Sequence, residues 1–470
     1  MDNRFGLIIN GQKRDGDLPP RPVINPATGE VLRNAPEASV KLLNLAVESA
    51  QVAFKSWKNV SHITRKAMLT EIADKIEGAT EELATLIVEE QGKPLDLAMM
   101  EVGGAVAWTR YAADADVPVK VIQDDANKRI ELHHKPIGVV ASITPWNWPM
   151  MIAVWHVMPA LRTGNCVIIK PSELTPFSTL KMIEIMADVL PDGVINVLSG
   201  GGELGQAISE HKDINKIVFT GSTATGQRIM SAASTNLKRL TLELGGNDAA
   251  IVLPGSSIND IAQPLFQTSF INMGQTCAAL KRLYVHESQY DEVCQALADI
   301  ASAQTVGNGL DEGVTFGPVQ NHNQFQKVQE LIEDAVAQGA KVLSGGKPLD
   351  ESGYLFPPTI VANVSNGVRI VDEEQFGPVL PIIPYQTVEQ AIQLANDSDL
   401  GLGGSVWGSD VDQAQMVAAQ LECGTVWVNG HAEVLPHAPF GGNKMSGFGV
   451  EFGEEGLLEN TQPQLININR

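Results

Sequence analysis

Five short apolar runs between residues 138 and 244 constrain this chain more than any other feature. They are GVVASI (138–143), NCVIIK (165–170), VINVLS (194–199), KIVFTG (216–221) and RLTLEL (239–244). Each gap between them carries a helical segment, such as PFSTLKMIEIMADVL at 176–190. Five strand-like runs alternating with four helices predict a parallel sheet with right-handed crossovers, and an α/β class. Such sheets bind ligands beyond the carboxyl ends of their strands. Asn147, Lys170, Gly221 and Glu243 all fall at or just after such an end.

A second α/β set follows. DAAIVL (248–253), RLYVHE (282–287), VLPIIPY (379–385) and GTVWVN (424–429) are strand-like. Residues 322–338 place Phe325, Val328, Leu331, Ile332, Ala335 and Val336 on one helical stripe. Upstream, 39–115 has helical character. Within 61–91, Ile63, Ala67, Ile72, Ile76, Leu83 and Ile87 keep helical spacing until Gly92 and Pro94 end the pattern. Residues 118–136 form a hairpin pattern around a polar DDAN turn, and the polar tail 454–470 is suited to pair with it as a further strand.

Composition narrows the partners. The 470 residues carry 33 Lys and Arg against 55 Asp and Glu, a net charge of −22. Nucleic acid and anionic membrane surfaces both require a basic footprint and are not expected. The apolar stretch 138–161 has the length of a membrane span, but Pro145, Asn147, Pro149, His156 and Pro159 interrupt it. The opening MDNRFGLIING carries Asp2 and Arg4, and its apolar run is too short for a signal-peptide core. Cys166, Cys277, Cys294 and Cys423 are scattered, with no Cys/His ligand spacing. Neither a metal site nor a disulfide framework is expected, and a reducing, cytoplasmic compartment fits.

Several segments carry chemistry. Cys277, in FINMGQTCAA, stands between Gly274 and small residues; a thiolate is the strongest side-chain nucleophile near neutral pH, and a helix N-terminus or a cation lowers its pKa. Glu243, in LTLELGGND, ends an apolar strand before Gly245 and Gly246, where desolvation raises a carboxylate toward the range of a general base. FTGSTATG (219–226) leads a strand through Gly221 into a helix near Thr223, whose N-terminal amides suit a pyrophosphate. In KPSELTP (170–176), Lys170 is placed to donate to ribose or phosphate and Glu173 to accept from ribose hydroxyls; equally, Ser172 caps a helix with Pro176 in its first turn. TPWNWP (144–149) holds the Asn147 amide between two tryptophans and two prolines, a rigid donor for an oxyanion. Taken singly, each admits a plain alternative: a buried inert cysteine, a paired glutamate, an ordinary turn.

In this order, TPWNWP, KPSE, FTGST, LELGGND, GQTC, EEQFGPVLP (373–381) and PFGGNKMSGFG (439–449) resemble the aldehyde dehydrogenase superfamily, from VINPATGEVL (23–32) to GLLENTQ (456–462). One departure is Val450, where many relatives have arginine before the residue equivalent to Glu451. The resemblance implies an NAD-binding domain (1–117 and 137–244), a catalytic domain (245–445) and a small β oligomerisation element (118–136 and 446–470) in a homodimer or homotetramer. It implies that Cys277 attacks an aldehyde, that Asn147 and the backbone N–H of Cys277 hold the oxyanion, and that Glu243 activates water against the resulting thioester. It places NAD against Lys170, Ser172, Glu173, Gly221, Ser222, Thr225 and Leu244, with Trp146, Glu374 and Phe376 at the nicotinamide end. The substrate pocket it implies comprises Trp148, Met151, Trp155, Ile271, Thr276, Ala278, Val434, Leu435 and Phe440, which favour an uncharged aromatic or medium-chain aldehyde. His156, His431 and His437 lie near these segments, and a protonated histidine there would suit a carboxylate-bearing semialdehyde instead. A coenzyme-A-acylating enzyme would lack Glu243, and a non-enzymatic scaffold would lack Cys277, Asn147 or Glu243.

Overall fold

The computed structural model describes residues 5–349 and 352–470; Asp2 and Arg4 lie outside them. All five apolar runs are strands of one sheet: Val139–Ile143, Cys166–Lys170, Ile195–Val197, Lys216–Thr220 and Arg239–Glu243. The first four are buried along their whole length. They are parallel, with Val139–Ile143 between Cys166–Lys170 and Lys216–Thr220. From there the chain winds outward in both directions, so the strand order reverses at the boundary between Val139–Ile143 and Lys216–Thr220. Three antiparallel additions complete the eight strands: Leu7–Ile9 and Gln12–Arg14 at one side, Gly447–Phe448 at the other.

The helical region 39–115 is four helices, Val40–Trp57, His62–Gly78, Thr80–Gln91 and Leu95–Asp114. The expected continuous helix over 61–91 is broken at Ala79, whose φ of −105° and ψ of 13° leave the helical region. The expected stripe fails at its start: Ile63 is 82% exposed and Ala67 is exposed, while Arg65, Leu69, Ile72, Ala73 and Ile76 face inward.

The second sheet has seven strands in the order Lys341–Ser344, Thr359–Ala362, Val379–Tyr385, Leu280–His286, Asp248–Val252, Gly403–Trp407 and Thr425–Val428. All neighbours are parallel except the first pair. The helix His322–Ala337 buries Val328, Leu331, Ile332 and Ala335 against this sheet, while Val336 is exposed. The tail strand Thr461–Asn469 pairs antiparallel with Lys128–Pro136, which pairs in turn with Lys120–Asp124. Residues 446–470 therefore serve two sheets, since Gly447–Phe448 closes the first one. Among the described residues, no helix is long and apolar enough to cross a membrane.

Candidate active site

A cleft of about 840 Å³ opens where the strand order reverses. Its walls are the residues that follow the strand ends: Trp146, Lys170, Ser172, Glu173, Gly221, Ser222 and Thr225 all line it. Ser222 caps the helix Thr223–Ala233, its Oγ accepting from the N–H of Thr225 at 3.3 Å. Gly221 leaves room for Phe219, whose ring a Cβ would approach to 2.5 Å. Leu244 lies behind this helix, packed against Gly226.

At the other end of the cleft, Lys170 Nζ donates to the carbonyls of Pro171 (3.0 Å) and Gly200 (2.8 Å) and stands 3.6 Å from Glu173. Ser172 caps no helix. It accepts from the N–H of Leu174 in a turn, and the next helix starts only at Phe177. Its cap is Glu90, a buried carboxylate that accepts from the N–H groups of Phe177 (2.6 Å) and Ser178 (2.9 Å). Burial pushes Glu90 up to about 7 despite these bonds.

Trp146 leads out of the cleft and meets Phe376 edge-on at 5.3 Å. Phe376 follows Glu374, which accepts from the Gly246 N–H at 3.0 Å. Here the glycine pair after Glu243 is required for close approach: a Cβ on Gly245 would meet Glu374 Oε2 at 2.5 Å, and one on Gly246 would meet the Cys277 carbonyl at 2.6 Å.

Cys277 lies in a turn between the 3-10 segment Ile271–Gly274 and the strand Leu280–His286. That segment turns through left-handed Asn272, Met273 and Gly274; the Gly274 Cβ would fall 2.2 Å from the Gly377 carbonyl, so only glycine fits. Burial pushes the Cys277 thiol up to about 12, with Lys281 opposing and Glu243, Asp248 and Glu374 reinforcing the rise. Desolvation here outweighs the favourable charge of Lys281.

Asn147 is 2% exposed, and its side-chain amide donates to the carbonyl of Gln275 at 2.9 Å. An amide nitrogen has two N–H groups, so one fixes the plane while the second stays free to donate. A buried ion pair supports this turn. Lys93 Nζ lies 2.6 Å from Glu101, donates to the Asn147 carbonyl at 2.9 Å and sits 3.6 Å over the Trp148 ring. The other Glu101 oxygen accepts from the N–H groups of Met150 and Met151, at the start of the helix Pro149–Arg162.

Glu243 is buried at the end of its strand, and neither carboxylate oxygen has a hydrogen-bond partner. Burial raises its pKa well above the usual carboxylate range, and the nearby Glu451 adds to the rise. Glu451 is held 3.2 Å from His156, which also bonds to Ser142 and Thr220, both at 2.9 Å.

Of the expected pocket residues, Trp155, Ala278, Val434 and Phe440 cluster with Cys277. Leu435 is 37% exposed and stands outside this cluster. Trp148 is turned into the core and donates its indole N–H to Thr276 at 3.0 Å, so it supports the cysteine turn from behind. Met151 packs toward Gly104, and Ile271 accepts from the Thr276 hydroxyl at 3.4 Å. Four members of the cluster, Trp108, Leu402, Trp427 and Phe452, were not foreseen. Trp108 and Phe452 complete an aromatic box with Trp155, at ring separations of 4.9–5.8 Å. His156 and His431 are buried; His156 bonds through both ring nitrogens, whereas His431 bonds Ser405 through Nδ1 at 2.9 Å and its Nε2, 3.6 Å from Asp248, has no hydrogen-bond partner among the described residues, and His437 is exposed.

The sequence profile of the aldehyde dehydrogenase family matches residues 14–466. Phenylacetaldehyde dehydrogenase of Pseudomonas fluorescens is 40% identical over 464 residues, covering 95% of this chain and 92% of that protein. Retinaldehyde dehydrogenase 3 of Homo sapiens is 39% identical over 453 residues, covering 94% and 88%. Among solved structures, the NAD+ complex of aldehyde dehydrogenase from Bacillus cereus superposes with a TM-score of 0.97 at 35% identity, covering 99% of this chain and 96% of that one. A match of this extent, on a site built from the same blocks of sequence, assigns the chain to the aldehyde dehydrogenase family.

Proposed function

We propose that this enzyme converts an uncharged aromatic or medium-chain aldehyde to its carboxylic acid through a covalent intermediate on Cys277. As a member of the family it is an oxidoreductase that acts on aldehydes with NAD as cofactor. The observation that carries the covalent reading is one arrangement. The charge of a glutamate with both oxygens unpaired acts on the Cys277 thiol, and an asparagine amide is clamped to the carbonyl two residues before that cysteine.

The cleft suits a dinucleotide in size and in its place at the strand reversal. Lys170 and Glu173 would hold the adenosine ribose, Ser222 and Thr225 the pyrophosphate, and Trp146, Glu374 and Phe376 the nicotinamide end. When bound there, NAD accepts the hydride that leaves the substrate carbon.

The chain's own residues do the rest. Cys277 Sγ bonds to the aldehyde carbon while its proton passes to Glu243. Both groups are raised by burial, which keeps the carboxylate a usable base toward a thiol at about 12. The carbonyl electron pair moves to oxygen, where the second Asn147 N–H and the Cys277 backbone N–H stabilise it. Loss of hydride leaves a thioester on Sγ. Glu243, having shed its first proton, takes one from water; the hydroxide adds, the carbon–sulfur bond breaks and the acid departs. The presence of Glu243 favours hydrolysis over transfer to coenzyme A.

The aromatic box beside Cys277 supports an apolar substrate, each Å² buried contributing about 25 cal/mol. Both ring nitrogens of His156 are taken up by Ser142 and Thr220, which speaks against its holding a carboxylate. A homodimer or homotetramer joined through the 118–136 ribbon and the tail, in a reducing cytoplasmic compartment, belongs to the same proposal; the four cysteines are free thiols.

The decisive experiment is rapid quench with Glu243→Gln and benzaldehyde. Deacylation should slow more than acylation, so that acyl-enzyme on Cys277 accumulates while steady-state turnover falls about a thousandfold, in the middle of the range for loss of a general base. Turnover by Cys277→Ala near that of the parent enzyme would refute the covalent route. A tenfold or larger preference for succinic semialdehyde over benzaldehyde and hexanal at about pH 8, where histidines are mostly neutral, would refute the substrate class.

A further inference from the structure

Lys281 is the second residue of the strand Leu280–His286, and its side chain is 3% exposed. No step above uses it. A buried ammonium carries three donors, and each needs an acceptor. Those of Lys281 reach the carbonyls of Thr276 (2.9 Å), Cys277 (2.5 Å) and Ala279 (3.4 Å), which is the turn that carries the nucleophile. On its other side Glu374 Oε1 stands 3.8 Å away, and the Phe376 ring centroid 6.0 Å. Glu374 is in turn fixed by the Gly246 N–H, and Gly246 itself packs against the Cys277 carbonyl.

We propose that Lys281 is a positioning residue for the reaction: one ammonium ties the backbone of the Cys277 turn to the Glu374 carboxylate, so that the nucleophile and the nicotinamide end of the cofactor site are set relative to each other by a single cation. The proposal rests on the covalent reading of Cys277. Its electrostatic sense agrees with the geometry. Of the charged groups acting most strongly on the thiol, Lys281 favours the thiolate, whereas Glu243, Asp248 and Glu374 oppose it. Glu374 thus competes for the cation that serves the cysteine.

The test needs no turnover. Alkylation of Cys277 by iodoacetamide is followed in the cofactor-free enzyme as a function of pH, by mass spectrometry of its peptide. Lys281→Met should slow alkylation at about pH 8 roughly tenfold, the equivalent of one unit in the thiol pKa. Glu374→Gln should speed it about threefold, because Lys281 then serves the turn alone. A wild-type rate and pH profile in Lys281→Met overturns the proposal, as does an unchanged or slower rate in Glu374→Gln. If Lys281→Met does not fold, Lys281→Gln takes its place, with the same slowing expected and a wild-type rate overturning the proposal. Failure of the covalent reading shows separately, as retained turnover in Cys277→Ala.

Discussion

Glu243 is a charge-bearing residue in a place hostile to charge, and its substitution by a neutral isostere has a defined sign. Its folded pKa is raised by burial first and by Glu451 second. The protonated form is therefore favoured in the native state, and the wild type loses stability as pH rises from the unfolded value near 4.3 through the raised folded value. Glu243→Gln should be more stable than the wild type at about pH 8, and the difference should vanish below about pH 4. Thermal unfolding across that window checks it; a constant difference would place the effect in packing. Glu173, whose side chain is 38% exposed, carries a second expectation. It should repel a 2′-phosphate, by at most about 4 kcal/mol at an effective dielectric near 20. Glu173→Gln should therefore raise the NADP-to-NAD ratio of kcat/KM about tenfold. At this scale the sequence singled out Cys277, Glu243 and Asn147 as candidates because each stands in a stretch of turn-formers or at a strand end. Lys93, Glu90, Glu101 and Lys281 stayed hidden. A lysine or glutamate on a helix or strand resembles a solvated side chain until its partner, often from another element, is placed beside it.

The turn that holds Asn147 depends on two elements distant from it. The loop carrying Lys93 and the helix Leu95–Asp114 carrying Glu101 bring a fully buried pair to the start of the helix Pro149–Arg162. Removing one partner of such a pair leaves an uncompensated charge and costs about 3–5 kcal/mol. Lys93→Met should lose stability on that scale in urea melts and, where folded, lower kcat more than it raises KM for the aldehyde, because Asn147, the proposed oxyanion donor, is loosened. An unchanged kcat in the folded variant would limit the pair to a structural role. Four of the five central strands were legible because both of their faces are buried, so most of their residues are apolar; the fifth, Arg239–Glu243, is buried only over its last three residues. Gly403–Trp407 was not legible, since its first two residues are glycines, which carry no strand preference. Thr359–Ala362 is too short to stand out among loops. The break at Ala79 escaped because apolar spacing continues across it; only the backbone angles reveal it.

Across the whole molecule, the tail strand Thr461–Asn469 pairs with Lys128–Pro136 over its full length and leaves Leu465, Ile468, Val121 and Ile122 exposed in one ribbon. Deleting 461–470 should lower the mass measured by light scattering to that of a smaller assembly; an unchanged mass would remove the ribbon from the proposed oligomer contact. The two-sheet architecture was legible in the sequence, but the return of the chain to its first sheet was not, because the pairing is set by tertiary proximity. That return has a consequence for synthesis. Gly447–Phe448 lies beside Leu242 and Glu243, on strand residues made roughly two hundred positions earlier. At ribosomal speeds of about 5–20 residues per second, the outer strand of that sheet waits for something like 10–40 s with its hydrogen-bonding edge open. A nascent chain in that interval is an unpaired edge able to recruit another chain like itself. Glu243, which ends this strand, acquires its final surroundings only after Gly447–Phe448 has left the ribosome.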